Sequence, residues 1–190
     1  MLRGWVVFYN VPVRGGTYRG KRIELPEVFV PGCFARVLRE SQQIDLLIEH
    51  NSEPVCSTAG GLFIEDRPPK GLYFWGWPDR STTGERAVLG VRSGRLIGMS
   101  FSAKQRKVRS GDYEIVVEVE YLPEISLVDS PACHQSSVEA ISPEEQKHER
   151  QARLNPQQFR TAKASGETAL HLLSPLASSS KRISAYATIF

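Results

Sequence analysis

The chain predicts a mainly β (α+β) fold, a mixed or antiparallel β-barrel with peripheral helices. Three observations predict it. Short runs of β-branched and aromatic residues recur from Trp5 to Val128, closed by Gly, Pro, Asn or Asp. Several runs alternate polar and apolar side chains, the two-residue period of a half-buried strand. Only Phe34 to Leu38 carries a clear helical stripe, and a second stripe is weaker.

The totals bound what such a fold can be. A chain of 190 residues holds one full domain with its own core and room for a tail. A hydrophobic share of 41 % suits a soluble globular protein, and no apolar run is long enough to cross a membrane. The start, Met1-Leu2-Arg3-Gly4-Trp5, leads into a strand-like run without a small-residue cleavage site, so it does not read as a signal peptide. A formal charge of +3 is too small to argue for nucleic acid by itself. Cys33, Cys56 and Cys133 are widely spaced and form no C-x-x-C, which argues for a reducing compartment and against a disulfide framework or a zinc site. No cofactor is implied.

In order, Trp5-Val6-Val7-Phe8-Tyr9 reads as a strand closed by Asn10 and Pro12. Arg14-Gly15-Gly16-Thr17 is a turn, and Ile23 to Val30 is extended, interrupted at Pro26. Pro31-Gly32 opens a short helix whose Phe34, Val37 and Leu38 form one apolar stripe, ending at Ser41-Gln42-Gln43. Ile44 to His50 is a strand with Ile44, Leu46, Ile48 and His50 on one face. Gly60–Asp66 and Leu72–Trp77, joined by Pro68-Pro69-Lys70-Gly71, resemble a hairpin. Ser81 to Arg86 is a loop that starts a weak helix through Ala87, Val88 and Val91. Lys104, Arg106, Lys107 and Arg109 form a basic hairpin loop ending at Ser110-Gly111-Asp112; such a cluster is usually a solvated loop, and with no aromatic interleaving it supports nucleic-acid binding only weakly. Tyr113 to Tyr121 alternates, with Tyr113, Ile115, Val117, Val119 and Tyr121 on one face. Leu122-Pro123 breaks that strand, and Glu124 to Val128 resumes it until Asp129-Ser130-Pro131-Ala132. Residues 1–141 therefore read as the β domain. From Ser142 the composition changes: Ser142-Pro143-Glu144-Glu145 caps a charged helix to about Arg153, and residues 142–190 read as a helical arm and a flexible tail.

Leu96 to Ser102 is the stretch that bears on function. Alternation puts Gly98, Ser100 and Ser102 on one face and Met99, Phe101 and Ala103 on the other. A row of small residues leaves room for close approach by a substrate or another backbone. Three polar residues thus stand on or at the edge of apolar strands: His50, Ser100 and Glu124. A serine becomes nucleophilic when a base takes its proton, histidine is the usual base near neutral pH, and a carboxylate on the far ring nitrogen fixes its tautomer. The chain supplies one candidate for each role on three different strands. Spacing does not decide between arrangements, because such triads occur in several chain orders.

Six pieces, in order, resemble the prohead (procapsid) maturation proteases of tailed bacteriophages. They are Gly4-Trp5-Val6-Val7-Phe8; Val30-Pro31-Gly32-Cys33-Phe34, like the family's "PGAF"; Leu46-Leu47-Ile48-Glu49-His50-Asn51; Gly71-Leu72; Gly98-Met99-Ser100-Phe101; and Pro123 to Ala132, like its "EVSLV..PA". The chain departs after the serine, with Phe101-Ser102-Ala103 where the family commonly has Phe-Gly-Phe. The resemblance implies a barrel related to the herpesvirus assembly proteases, with Ser100 as nucleophile and His50 as base. Glu124 is the choice for the third member, against Asp129, Glu49 and His134. The oxyanion donors stay open between backbone N–H groups near Ser100 and the arginines. The resemblance also implies the substrate, the scaffolding segment of the major capsid protein or a separate scaffold protein, with cleavage of the chain itself and possible self-association. The lack of a long apolar run argues against a membrane partner, and the small charge and the basic loop give nucleic acid little support. The place of action would be the host cytoplasm, inside the immature capsid. The rival readings are a capsid-assembly barrel that has lost activity, a cysteine hydrolase using Cys33, Cys56 or Cys133, and a nucleic-acid binder through Lys104 to Arg109.

Overall fold

The structure is a computed structural model and describes residues 1–14, 17–18, 21–22, 25–40 and 43–147. Its elements run β1 (Leu2–Phe8), β2 (Pro12–Val13), β3 (Thr17–Tyr18), β4 (Lys21–Arg22), β5 (Glu27–Phe29), α1 (Ala35–Arg39), β6 (Asp45–Ile48), β7 (Cys56–Ser57), β8 (Leu62–Arg67), β9 (Gly71–Gly76), α2 (Thr82–Arg92), β10 (Gly98–Ser110), β11 (Tyr113–Val128) and β12 (Ser137–Ala140). The chain is mainly β, as its sequence predicts. Met1–Pro143 forms one compact unit. Residues 143–147 are helical, and the expected continuation to Arg153 and the tail lie outside the described residues. Among the described residues no helix is long and apolar enough to cross a membrane.

Two larger sheets carry the fold. One has the order β12-β1-β9-β8, antiparallel throughout. The other has the order β2-β5-β11-β6-β7, with β10 added along β11. The length of β11, 16 residues, explains that sheet. Its first part takes β5 in parallel at Glu114–Val116, its last part takes β6 in parallel at Glu124–Leu127, and its opposite edge takes β10 antiparallel. Neither path returns on itself. The first stops at β12 and β8, the second at the two-residue strands β2 and β7. A barrel needs every strand bonded on both sides, so among the described residues the expected barrel is not formed; the sheets are open, and the second is blunted at its ends by the short β2 and β7.

Three further expectations change at the β10–β11 ribbon. Lys104 to Arg109 is not a loop but part of β10, and its cations face carboxylates: Lys104 pairs with Glu120 at 2.8 Å, Arg106 with Glu118 at 3.0 Å, and Lys107 with Glu114 at 3.0 Å and with Glu27. Leu122-Pro123 does not break β11. The register slips between Ser102 and Lys104, between Lys104 and Gln105, and between Arg106 and Lys107, each time with the extra residue on β11. Pro123 falls in the first of these bulges, where a missing N–H is tolerated. Each bulge also flips the alternation. Hence Val116, Val119 and Leu122 are fully buried, while Tyr113 and Tyr121, expected inside, are 41 % and 50 % exposed.

The helices cover the core rather than build the site. Ser81 caps α2 by accepting the Gly84 N–H at 3.1 Å, and Ala87 packs inward. At the start of α1, Phe34 is fully buried, stacked on Phe29 at 5.8 Å and edge-on to Phe101 at 5.9 Å. Phe101 directly follows Ser100, so this cluster is the floor beneath that strand. Phe34→Ala is expected to destabilise the fold by about 3–5 kcal/mol, read as a lower midpoint in urea.

Candidate active site

Antiparallel register sets Ser100 opposite Ser126, and Ser102 opposite Glu124. Directly opposed residues share a face, so this face of β10 and β11 carries three hydroxyls and one carboxylate. The histidine arrives from the other edge of β11. There β6 runs parallel, with Ile48 beside Leu127, and ends. Glu49 and His50 then both take positive φ, 51° and 56°. The expected row of Ile44, Leu46, Ile48 and His50 therefore fails at its last member: His50 is not on the strand but on the turn beyond it.

Left-handed backbone costs about 1–3 kcal/mol at a non-glycine residue, and the turn is tied down accordingly. The Glu49 N–H donates to Leu127 O at 3.0 Å, and Glu49 Oε1 accepts the Asp129 N–H at 2.8 Å. Asn51 closes the turn by donating from its backbone and from Nδ2 to Ile48 O, at 3.0 and 2.8 Å. The His50 N–H donates to Ser126 Oγ at 3.3 Å. The imidazole is thereby held above the polar face.

Its ring makes two contacts. Nδ1 lies 2.8 Å from Glu124 Oε1, and Nε2 lies 3.1 Å from Ser100 Oγ. The ionised carboxylate can only accept, so Nδ1 carries a proton. In the neutral ring Nε2 is then the acceptor, and the Ser100 hydroxyl donates to it. Ser126 Oγ donates to the other carboxylate oxygen, Oε2, at 2.6 Å.

The electrostatics agree with that assignment. Burial pushes the Glu124 carboxyl up, but hydrogen bonds from His50, Ser102 and Ser126 outweigh it and hold the group below the usual carboxylate range. The hydrogen bond to Glu124 raises His50 above its ordinary 6.5; burial opposes this, and the charges of Glu124 and Glu49 add to it.

The start of β10 is fixed from behind. Ser136 Oγ accepts the Met99 N–H at 3.0 Å and donates to Met99 O at 3.3 Å. A Cβ on Gly98 would lie 2.6 Å from Pro131 Cγ and 2.8 Å from Ser136 Oγ. The close approach implied by the small residues is thus made, at Gly98, by the loop after β11. Beside Ser100 and Ser102 lies instead an open cavity of about 720 Å³, floored by Phe29 and Phe101 and edged by Glu27 and Lys107.

Of the residues singled out from sequence, the fold brings together His50, Ser100 and Glu124. Glu49 and Asp129 bond each other beside the turn, and His134 is exposed in the loop after β11. All three cysteines are buried free thiols; burial pushes Cys33 and Cys56 up to about 12, and both ring nitrogens of His50 are already engaged. A long separation of His50 and Ser100 would favour the inactive-barrel reading; the two are instead in hydrogen-bond contact, 3.1 Å apart. Among the described residues no group of His, Cys, Asp and Glu is arranged to hold a metal. Ser126 is the residue missed. Its signal was present, a hydroxyl two positions after the candidate carboxylate on the same strand face.

A mainly β chain with a hydroxyl, an imidazole and a carboxylate in one hydrogen-bonded line has the arrangement that serine hydrolases use. Comparison with known proteins narrows that class. The chain belongs to the family described as caudovirus prohead serine protease, whose model matches residues 1–151. It is thus a serine protease of a phage-prohead family. No curated protein and no solved structure matches the chain.

Proposed function

We propose that Ser100, His50 and Glu124 are the catalytic groups of an endopeptidase that acts in the immature capsid of a tailed phage, within the host cytoplasm. Its substrate is the scaffolding segment of the major capsid protein or a separate scaffolding protein, and the chain also cuts itself. The observation that carries this reading is the unbroken line from Ser100 Oγ through His50 to Glu124 Oε1, with contacts of 3.1 and 2.8 Å.

In the first half-reaction Ser100 Oγ bonds to the scissile carbonyl carbon as His50 Nε2 takes its proton. The imidazolium is stabilised by ionised Glu124. His50 then gives that proton to the departing amine, and the C–N bond breaks, leaving the acyl-enzyme. Water enters by the same route: His50 takes a proton from it, the hydroxide adds to the acyl carbon, and the proton returns to Ser100 as the acid leaves. The raised His50 pKa sets the pH dependence. The base must be neutral, so acylation rises with pH through a midpoint above 6.5.

Intact-mass analysis tests the reading, self-cleavage included. At high concentration the parent chain is expected to lose mass from the region after Ser142, while Ser100→Ala and His50→Ala stay intact. Equal trimming of all three would contradict the assignment. If none is trimmed, self-cleavage is refuted, and co-expression with the capsid protein is then expected to give cleavage with the parent alone.

A further inference from the structure

One hydroxyl touches two of the three groups. Ser126 is fully buried, at 0 % exposure. Its Oγ donates to Glu124 Oε2 at 2.6 Å and accepts the His50 N–H at 3.3 Å. Its backbone lies directly across the ladder from Ser100. A hydroxyl has one proton and two lone pairs, so it makes both contacts at once.

We infer that Ser126 is a positioning residue for the reaction: it occupies Glu124 Oε2, so that Oε1 is presented to His50 Nδ1, and it anchors the left-handed turn that carries the imidazole. This rests on the catalytic reading given above. The terminal torsion of a glutamate is broad, so a carboxylate held at one oxygen only can rotate away from its partner. Ser102 also bonds Glu124, but it is exposed, and water competes for that contact. Ser126 is shielded from such competition. It also bonds the backbone of the residue whose ring must align, which a donor to the carboxylate alone would not do.

The test is the second-order rate at which a fluorophosphonate labels the chain, measured across pH, with Ser126→Ala and Ser126→Thr beside the parent. The probe forms a Ser100 Oγ–P bond and releases fluoride, with the serine proton passing to His50, so it reads the same activation without a natural substrate. Ser126→Ala is expected to label tenfold or more slowly, the scale of a lost hydrogen bond to a charged group. Its acidic limb should also move to lower pH. Among the described residues, the charged groups facing His50 are Glu124 from β11 and Glu49 from its own turn. Only the Glu124 contact is loosened, so the imidazolium loses stabilisation and the His50 pKa falls. Titration of the His50 ring by NMR should show the same fall, and Ser126→Thr, which keeps the hydroxyl, should restore the limb.

A rate loss with an unmoved limb and an unmoved His50 titration would reduce Ser126 to packing and overturn the inference. So would an unchanged rate. Labelling of Ser100→Ala at the parent rate would refute the catalytic reading instead, and the His50 titration would still decide whether Ser126 orients the ring.

Discussion

Ser100→Ala is expected to lower peptidase activity by about a millionfold, the order of loss when a serine nucleophile is removed from a working triad. The substitution takes away one oxygen from a half-buried residue and leaves the ladder with Ser126 intact. The protein should therefore fold as before, with an unchanged far-UV spectrum. Substrate binding should be kept, because the cavity beside Ser100 is floored by Phe29 and Phe101, which do not move with the hydroxyl. The loss should appear in kcat, with KM close to the parent's. A KM-dominated loss would mean that Ser100 holds substrate rather than reacting with it.

Glu124→Gln should have the second-largest effect, a fall of about 10,000-fold in kcat, comparable to other carboxylate-to-amide changes at this position of a triad. The reason is the tautomer. Glutamine can donate to Nδ1 from its amide, which drives the imidazole proton to Nε2, and an Nε2–H cannot accept the Ser100 proton. The pH profile should change as well. Glu124 is the main cause of the raised His50 pKa, so its neutral replacement moves the acidic limb to lower pH. Stability follows the same pair. A raised histidine pKa stabilises below its unfolded value, and that gain is lost as pH rises through the folded value. A lowered carboxyl pKa stabilises above its unfolded value, and that gain is lost as pH falls through the folded value. The pair thus supports the fold most between the two ordinary values, on the acid side of neutrality, and Glu124→Gln should flatten the pH dependence of the melting temperature there.

How far the sequence reaches is clear from particular residues. Ser100 was legible because β10 is regular where it lies, with small and large residues alternating from Gly98 to Ala103. Glu124 was legible for a similar reason, since the stretch from Glu124 to Val128 pairs with β10 and β6 without a slip. His50 was legible only in part. Period two placed it on an apolar row, whereas two left-handed residues carry it off the strand. Nothing in Glu49-His50 announces that turn; it is imposed by tertiary bonds to Leu127, Ser126 and Asp129. The three bulges on β11 were equally hidden, because the alternation of Tyr113 to Tyr121 matches an unbroken strand, and only the pairing with β10 shows where it flips. Closure into a barrel depends on which edges meet, and strand patterns hold no record of that. Ser126 was visible as a hydroxyl but not as a bridge, since its partners are the backbone of one candidate residue and the far oxygen of another.

Tandem mass spectrometry of the parent chain after reaction with a fluorophosphonate locates the nucleophile directly. The adduct is expected on Ser100 alone, and His50→Ala should acquire none over the same time. An adduct on any other residue with Ser100 unmodified, or equal labelling of His50→Ala, would contradict Ser100 as the nucleophile activated by His50.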